Sequence, residues 1–319
     1  MSVAGGLENA FADGARAGCD SLQVFVKNQR QWSAPPLTDK QIAAYQQAER
    51  DTGLKPVVAH ASYLLNLASP DGTTRKRSIH AMIDELSRCE ALGVSAMIFH
   101  PGAHLNGEGT KARRHRDTEG NDDMQSEPQA PARGLDSPLA LRVRMESNAA
   151  AAGIERIAKA LDEVHRRCAE FQTMILLETT AGQGTAIGYR FEQLASILDA
   201  VRESDRLGLC LDTCHLFAAG YDFRFAEGYE AMIDELDRAI GVARVKCIHV
   251  NDSKRECGSR VDRHEHIGKG KIGKSGFARF INDPRFLGVP MILETPKGKD
   301  GRGSDLDKVN LRRLRTLIS

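Results

Sequence analysis

The sequence has little of several features that would assign it to a particular class of protein. Its seven cysteines form no CxxC pair, so we expect free, mostly buried thiols rather than a thiolate zinc ribbon or a disulfide framework. No apolar run approaches the roughly 20 residues of a membrane-spanning helix. The first residues also lack the basic and then apolar pattern of a signal sequence. We therefore expect a soluble, intracellular protein.

An excess of charge of one sign is also missing. The 319 residues include 44 Lys and Arg and 43 Asp and Glu, which gives a formal net charge of +1. This balance neither demands nor excludes nucleic acid, because a local basic rim is enough to bind phosphates. With 41% hydrophobic residues, the chain can bury the core of one large domain, which we expect to span residues 1–319.

Short apolar runs predict strands that are covered on both faces, because most of the runs are nearly continuous rather than alternating. These runs are 21–27, 55–60, 94–100, 172–178, 207–212, 244–251 and 290–294. Helical patterns lie between them, at 39–50, 74–92, 147–169, 190–203, 226–240, 275–281 and 305–317. The alternation of strand and helix predicts an α/β fold built of βα units around a parallel sheet.

Side chains of the metal-ligand type end six of these runs or follow them closely. They are His60, His100, Glu178, Asp212 with His215, His249 with Asp262 and His264, and Glu294. Taken singly, each is more often a hydrogen-bonded core or loop residue than a ligand. In a parallel α/β barrel, however, the carboxyl ends of the strands converge on one mouth, so that ligands distant in sequence can meet there. Counted together, they predict one polynuclear metal site.

The mixture of ligand types indicates which metals the site would take. Imidazole with carboxylate, and no cysteine, favours zinc, with manganese as an alternative at an oxygen-rich position. Nine nitrogen and oxygen ligands are too many for one ion. Because a carboxylate can bridge two ions, three metals that share a glutamate are a workable partition.

One segment interrupts the alternation of strands and helices. Residues 105–144 are polar, rich in Gly and Pro, and without aromatics, so they cannot bury enough apolar surface to offset their ordering entropy. We interpret them as a disordered insertion in a barrel loop that is dispensable for chemistry. A DNA-contacting or targeting role for its basic residues is the less favoured alternative. Such an insertion also hints at a eukaryotic source.

Several short motifs follow one another along the chain: AGGL, KNQRQW, HASYLLNLAS, FHPGAHL, LLETTAGQGT, LCLDTCHLFAAGYD, IHVNDSK, GSRVDRHEHIGKGKIG and ILET. In this order and spacing they resemble the endonuclease IV family of apurinic/apyrimidinic (AP) endonucleases. The resemblance covers nearly the whole chain outside the insertion and implies a TIM-type (β/α)8 barrel. In that family a strand precedes the segment similar to residues 2–7. We therefore expect this chain to lack the first barrel strand, and to be N-terminally incomplete or poorly stable as given.

The resemblance also implies an activity and a ligand set. The activity is zinc-dependent cleavage 5′ to an abasic site in duplex DNA during base excision repair, leaving a 3′-hydroxyl and a 5′-deoxyribose phosphate, with 3′-phosphodiesterase or 3′-phosphatase activity besides. The implied ligands are His60, His100 and Glu178 for the first metal; Glu178, Asp212, His249 and Glu294 for the second; and His215, Asp262 and His264 for the third. Glu178 and Glu294 are the implied catalytic carboxylates. Arg30 and Tyr63 match positions that probe the duplex and the abasic gap.

The implied partner is double-stranded DNA with an abasic or 3′-blocked lesion, bound by a monomer without a membrane partner. The expected compartment is the nucleus or mitochondrion in a eukaryote and the cytoplasm in a bacterium. Two other functions stay open: a metal-dependent sugar isomerase or epimerase on the same barrel, and a DNA-binding protein that has lost catalysis. The loops KNQRQW and VDRHEH argue against the first, and the intact ligand set argues against the second. His80, His115 and His165 belong to no motif and are expected on the surface.

Overall fold

The computed structural model describes residues 5–105 and 138–319, without the side chains of residues 138–146. The strands in this part are β1 Leu22–Val24, β2 Val57–His60, β3 Ala96–Phe99, β4 Met174–Glu178, β5 Leu207–Asp212, β6 Val245–His249, β7 Asp252–Ser253, β8 His264–Glu265 and β9 Met291–Ile292. The α-helices are α1 Asn9–Ala17, α2 Asp39–Thr52, α3 Gly72–Leu92, α4 Pro138–Arg167, α5 Phe191–Ala200, α6 Thr213–Ala219, α7 Ala226–Ala239, α8 Gly273–Asn282 and α9 Leu306–Arg315. No helix among these residues is long and apolar enough to cross a membrane.

The long strands form one parallel sheet of seven strands, in the order β1-β2-β3-β4-β5-β6-β9. Each strand pairs with the next strand of this sheet along the chain, and all six pairings are parallel, as in a TIM barrel. Within the described residues β1 and β9 are the two edges of the sheet, and β7 and β8 form a separate antiparallel pair. The predicted α/β barrel is therefore confirmed, with seven strands.

The interior of the barrel contains two successive layers of side chains. The lower one, the apolar layer, consists of Val58, Ile98, Leu176, Cys210, Cys247 and Ile292, which pack in one cluster together with Ala96. The residues two positions further along the same strands form the mouth layer, which consists of His60, His100, Glu178, Asp212, His249 and Glu294. Because side chains on a strand alternate between its two faces, residues two apart project from the same face. The fold thus places the candidate ligands at the carboxyl-terminal mouth.

Outside the strands, α2 and α3 begin and end at residues that suit helix termini. Thr38 forms a capping box with Gln41 at the start of α2, and the side chain of Asp71 accepts from Thr74 N at the start of α3. Gly53 and Gly93 end these two helices at φ of 68° and 76°, in the left-handed region that glycine tolerates. These local signals support the strand and helix alternation that the sequence predicts.

Some elements differ from the prediction. Helix α4 begins at Pro138 rather than at residue 147, so the last part of the predicted insertion is helical. Proline at the first helical position and the good helix formers of PLALRVRM explain this start. Residues 106–137 lie outside the described residues, so the remainder of the predicted insertion stays a prediction. Helices α1 and α6 were not predicted.

Two histidines and the cysteines test the prediction of what is buried. His80 is exposed, as predicted, and His115 lies outside the described residues. The surface position predicted for His165 is wrong, because this residue is only 2% exposed. His165 lies in the last turn of α4, where Arg206 donates to its carbonyl oxygen over 3.3 Å. The prediction of free, mostly buried thiols is confirmed, since only Cys19 and Cys257 are partly exposed.

Candidate metal centre

The ends of β2, β3 and β4 bring together a first group of candidate ligands. The Nε2 atoms of His60 and His100 lie 3.1 and 2.9 Å from Oε2 of Glu178. The other ring nitrogen of His60 donates to the Ala61 carbonyl oxygen over 2.7 Å, which leaves a lone pair on Nε2. Two ligands of a tetrahedral zinc ion at roughly 2.1 Å lie about 3.4 Å apart. The spacing and the tautomer of this group therefore suit a zinc ion.

A second group surrounds His249 at the end of β6. Its Nδ1 atom lies 2.9 Å from Glu178 Oε1, 3.2 Å from Glu294 Oε2 and 3.8 Å from Asp212 Oδ2. Its Nε2 atom donates to Gln23 Oε1 over 2.7 Å, so that Nδ1 presents the lone pair. Glu178 thus turns one carboxylate oxygen to the first group and the other to the second. This is the arrangement that a bridging carboxylate requires.

A third group forms where α6 approaches the segment around β8. His215 Nε2 lies 3.2 Å and His264 Nε2 lies 3.3 Å from the two oxygens of Asp262. Both Nε2 atoms are buried, and neither makes a hydrogen bond of acceptable geometry. Their Nδ1 atoms instead donate to the carbonyl oxygens of Thr179 and Glu294, over 2.8 and 3.2 Å. Two imidazole lone pairs and a carboxylate that converge without bonding one another fit a shared cation.

The three groups coincide with the partition implied by the family resemblance. Within each group, one ligand atom from every residue lies within 4.8 Å of the others. Among the described residues, two further groups include cysteine: Cys210 and Cys247 with His249, and Cys214 with Asp212 and His264. Neither of these groups includes Glu178, which links the first group to the second.

The cluster keeps its carboxylates ionised. Burial opposes the ionisation of Glu178, but His100 and His249 outweigh it and hold the pKa of this carboxyl well below its usual value. Burial likewise opposes the ionisation of Asp262, yet His215 and His264 lower its pKa to about 2. An ionised carboxylate is the form that binds a metal, and a bound cation would displace the protons of these histidines and take over their positive charge.

Two polar side chains that the sequence motifs do not indicate hold these ligands in place. Gln23 donates to Glu294 Oε1 over 2.5 Å as well as accepting from His249. Asn251 donates to Asp212 Oδ2 over 2.6 Å, and its own Oδ1 accepts from Glu294 N over 2.8 Å. The available signals were a glutamine in the middle of an apolar run and an asparagine at the end of another. A polar side chain at such a position needs a partner, which the fold supplies from distant strands.

A cavity of about 300 Å³ opens beside the cluster, lined by Tyr63, Asn66, His100, Gln183 and Asp262 among others. Tyr63 is 58% exposed, and its ring centroid lies 5.1 Å from that of His60. Arg30 is exposed on the segment that follows β1. Both candidate DNA-probing residues thus lie on segments that follow the carboxyl ends of barrel strands, on the same side as the cluster.

Comparison with known proteins identifies the family. Residues 11–316 match the family model of the xylose isomerase-like TIM barrel. The probable endonuclease 4 of Chloroflexus aurantiacus is 44% identical, over 100% of this chain and 96% of that protein. The chain belongs to the endonuclease IV family. The probable endonuclease 4 of Geobacter sulfurreducens is 42% identical, over 100% of this chain and 93% of that protein. Among solved structures, endonuclease IV from Thermus thermophilus matches with a TM-score of 0.75 and 31% identity, over 99% of this chain and 96% of that one.

Membership of the endonuclease IV family confirms the resemblance stated from the motifs and makes this protein a DNA-cleaving hydrolase of DNA repair. A D-tagatose 3-epimerase-like protein also matches, with a TM-score of 0.61 and 18% identity. A likeness at that identity reflects the shared barrel alone. It therefore gives the isomerase or epimerase alternative no support beyond the fold.

Proposed function

We propose that this chain is a trinuclear, zinc-dependent AP endonuclease that cuts the phosphodiester 5′ to an abasic site and leaves a 3′-hydroxyl and a 5′-deoxyribose phosphate. Its further activity would be the removal of 3′-blocking groups as a 3′-phosphodiesterase or 3′-phosphatase. The observation that carries the proposal is the position of Glu178, whose two oxygens face two different ligand groups. When bound, two such closely spaced metals activate a shared water and clamp the phosphate, while a third can neutralise the leaving oxygen.

The geometry of the three groups supports the proposed roles of their residues. His60, His100 and Glu178 form the first group, His215, Asp262 and His264 the third, and Asp212, His249 and Glu294 complete the second around Glu178. Each imidazole whose second nitrogen is bonded to an oxygen presents a fixed lone pair and does not act as a base. No separate histidine base is required, since metals can supply both the nucleophile and the charge stabilisation.

The types of donor support zinc as the main metal. Imidazole and carboxylate donors together suit zinc, and the three groups that carry the proposal contain no thiolate. The second group is the richest in oxygen, with Glu178, Asp212 and Glu294 around a single imidazole. Manganese is therefore the alternative we propose there, because carboxylate oxygen suits that ion.

We further propose that the cavity beside the cluster receives the abasic nucleotide. Its volume of about 300 Å³ is at the lower end of the range for ligand pockets, roughly 300 to 1,000 Å³, so it suits a sugar phosphate better than a nucleotide with its base. Extruding a nucleotide into a pocket costs least where base pairing is already absent. Arg30 and Tyr63 would fill or widen the gap in the base stack, where stacking contributes roughly 1 to 3 kcal/mol per contact.

The partner we propose is duplex DNA that carries an abasic or 3′-blocked lesion, bound by a monomer. The relatives named above are bacterial, which supports the cytoplasm rather than the nucleus or mitochondrion as the compartment.

The decisive assay uses a duplex with one abasic analogue, an intact duplex of the same sequence as control, and each reaction with and without chelator. We expect a single cut 5′ to the analogue that chelator abolishes and zinc restores. Cleavage of both duplexes alike, or cleavage on the 3′ side, would contradict the proposal. Epimerisation of a ketose without any DNA cleavage would favour the epimerase alternative instead.

A further inference from the structure

The segments that carry Arg30 and Tyr63 are joined through one buried ion pair. We call residues 28–35 the Arg30 loop and residues 61–66 the Tyr63 loop. Lys27, just before the Arg30 loop, places its Nζ atom 3.3 Å from Glu85 Oε1 and 3.1 Å from Asp84 Oδ2, both on α3. The side chains of Lys27 and Glu85 are only 1% and 2% exposed. The pair therefore lies beneath the loops, away from solvent.

Each partner of the pair also bonds the backbone of one loop. Lys27 Nζ donates to the carbonyl oxygen of Trp32 over 3.0 Å, in the Arg30 loop. Glu85 Oε2 accepts from the backbone N–H of Ser62 over 2.9 Å, in the Tyr63 loop. One charged pair thus fixes one backbone atom in each of the two loops.

Ser62 completes the link between the loops. Its hydroxyl group donates to the carbonyl oxygen of Gln29 over 2.7 Å. The hydroxyl oxygen of Ser62 in turn accepts from Leu64 N over 3.2 Å. Tyr63 is therefore held by bonds on both sides of it. Arg30 is enclosed in the same way, since the carbonyl groups of Gln29 and Trp32 are both bonded. If either loop moves far, the hydrogen bond between Ser62 and Gln29 that joins the two loops must break.

The energetics of buried ion pairs indicate what such a pair contributes. The attraction between two buried charges is largely offset by their desolvation, so apolar residues of similar volume often stabilise a fold as well or better. What apolar residues cannot supply is a directed bond to a backbone atom. The Lys27–Glu85 pair supplies two, one to each loop. Replacing both charges should therefore change where the loops lie more than whether the barrel folds, whereas removing one charge alone also lowers stability because its partner stays buried.

We propose that Lys27 and Glu85 are positioning residues that couple the Arg30 loop to the Tyr63 loop, so that both probing side chains meet damaged DNA as one unit. The proposal rests on the proposed function of Arg30 and Tyr63. Neither Lys27 nor Glu85 is assigned a place in the chemistry.

The first test compares Glu85→Leu and Lys27→Met with a matched control, Glu90→Gln. Glu90 is also on α3 and also accepts backbone N–H groups, but from Gln172 and Thr173, which lead into β4 at the opposite end of the barrel. The readout is the ratio of Ki for an intact competitor duplex to KM for an abasic duplex, at fixed salt. We expect the two variants to lower this ratio about tenfold through displaced loops, with kcat and metal content little changed. The control should keep the parental ratio.

The second test uses fluorescence and needs no catalysis. Trp32 is the single tryptophan of the chain. Glu85→Leu removes a side chain that bonds the Tyr63 loop, yet it should increase the acrylamide quenching of Trp32 in the other loop. In a Trp32→Phe, Tyr63→Trp background, Lys27→Met should change the quenching at position 63 in the same direction. Glu90→Gln should change neither signal.

The outcomes separate this proposal from the proposed function. If discrimination and both cross-loop signals match the parent, the coupling is wrong. If Glu85→Leu fails to fold, Glu85→Gln replaces it, because glutamine keeps an acceptor for Ser62 N and loses only the charge. A smaller change in the same direction would then support the coupling. No change in discrimination or quenching would overturn it. If the parent does not cut abasic DNA, the proposed function fails, while the fluorescence tests still decide whether the loops are coupled.

Discussion

The mouth layer and the apolar layer lie two residues apart along the same strands, and they differ in polarity more than in burial. Glu178 and Leu176 are both 0% exposed on β4. Burying Leu176 away from water stabilises the fold, whereas burying a carboxylate destabilises it unless opposite charges surround the carboxylate. The apolar layer can therefore anchor the strands, and the mouth layer is held by that anchor. Metal chemistry at the mouth depends on packing directly beneath it.

The largest expected effect comes from breaking the mouth layer at its shared carboxylate. Glu178→Gln keeps the shape of the side chain but removes a negative charge from two ligand groups at once. We expect chelator-sensitive cleavage to fall by at least about 10²-fold and bound metal to decrease, because both groups lose affinity together. Cleavage rates and elemental analysis of the same preparation measure this. Near-normal cleavage would mean that another residue bridges the metals.

The next effect comes from cutting into the apolar layer. Leu176→Ala keeps every candidate ligand residue but opens a cavity beneath the mouth layer. We expect this cavity to lower the free energy of unfolding by about 3 kcal/mol. Urea titration measures the loss, with the exposed Leu287, replaced by alanine, as the control. We also expect weaker metal binding, because the strand ends lose their support. Unchanged metal affinity in the destabilised variant would show that the two layers act independently.

A smaller effect should follow from removing a residue that holds a ligand without being one. Gln23→Leu deletes the acceptor that fixes the His249 tautomer and the donor to Glu294. Such supporting residues typically contribute about 10- to 100-fold to metal affinity, and we expect a loss in that range. Competition with a chromogenic chelator measures it, with the exposed Gln47→Leu as control. An unchanged affinity would place Gln23 outside the support of the centre.

The smallest effect concerns a buried histidine far from the mouth. Burial and then Arg206 lower the pKa of His165, whose two ring nitrogens both lack hydrogen bonds. At His249, by contrast, burial also lowers the pKa, but Glu294 and Glu178 outweigh it and raise the pKa. Below pH about 6.5 the unfolded chain therefore binds a proton that folded His165 resists, so its contribution to stability falls as the pH falls. His165→Leu should raise the free energy of unfolding by about 1 kcal/mol at pH 7.5, and by more at pH 5.5. Equal gains at both pH values in urea titrations would exclude this titration.

The sequence predicts the mouth layer well because its residues end apolar runs, and a parallel barrel brings such ends together. It does not reveal the residues that hold the layer. Gln23 lies 271 positions from Glu294, and Lys27 lies 58 positions before Glu85, so no local pattern links the partners. The early start of α4 and the burial of His165 were missed for a related reason. The polar composition of the segment before residue 145 suggested a linker rather than the start of α4. His165 belongs to no motif, so the sequence gives no sign of what packs over it.

Three ligand groups lie side by side at the barrel mouth, and the first two share Glu178. Elemental analysis of folded, dialysed protein tests most directly whether they bind three metals, with the metal content expressed per chain. The account predicts about three metals, mostly zinc, and a joint loss from the first and second groups in Glu178→Gln. One metal per chain, or none, in protein that is folded by circular dichroism would contradict it.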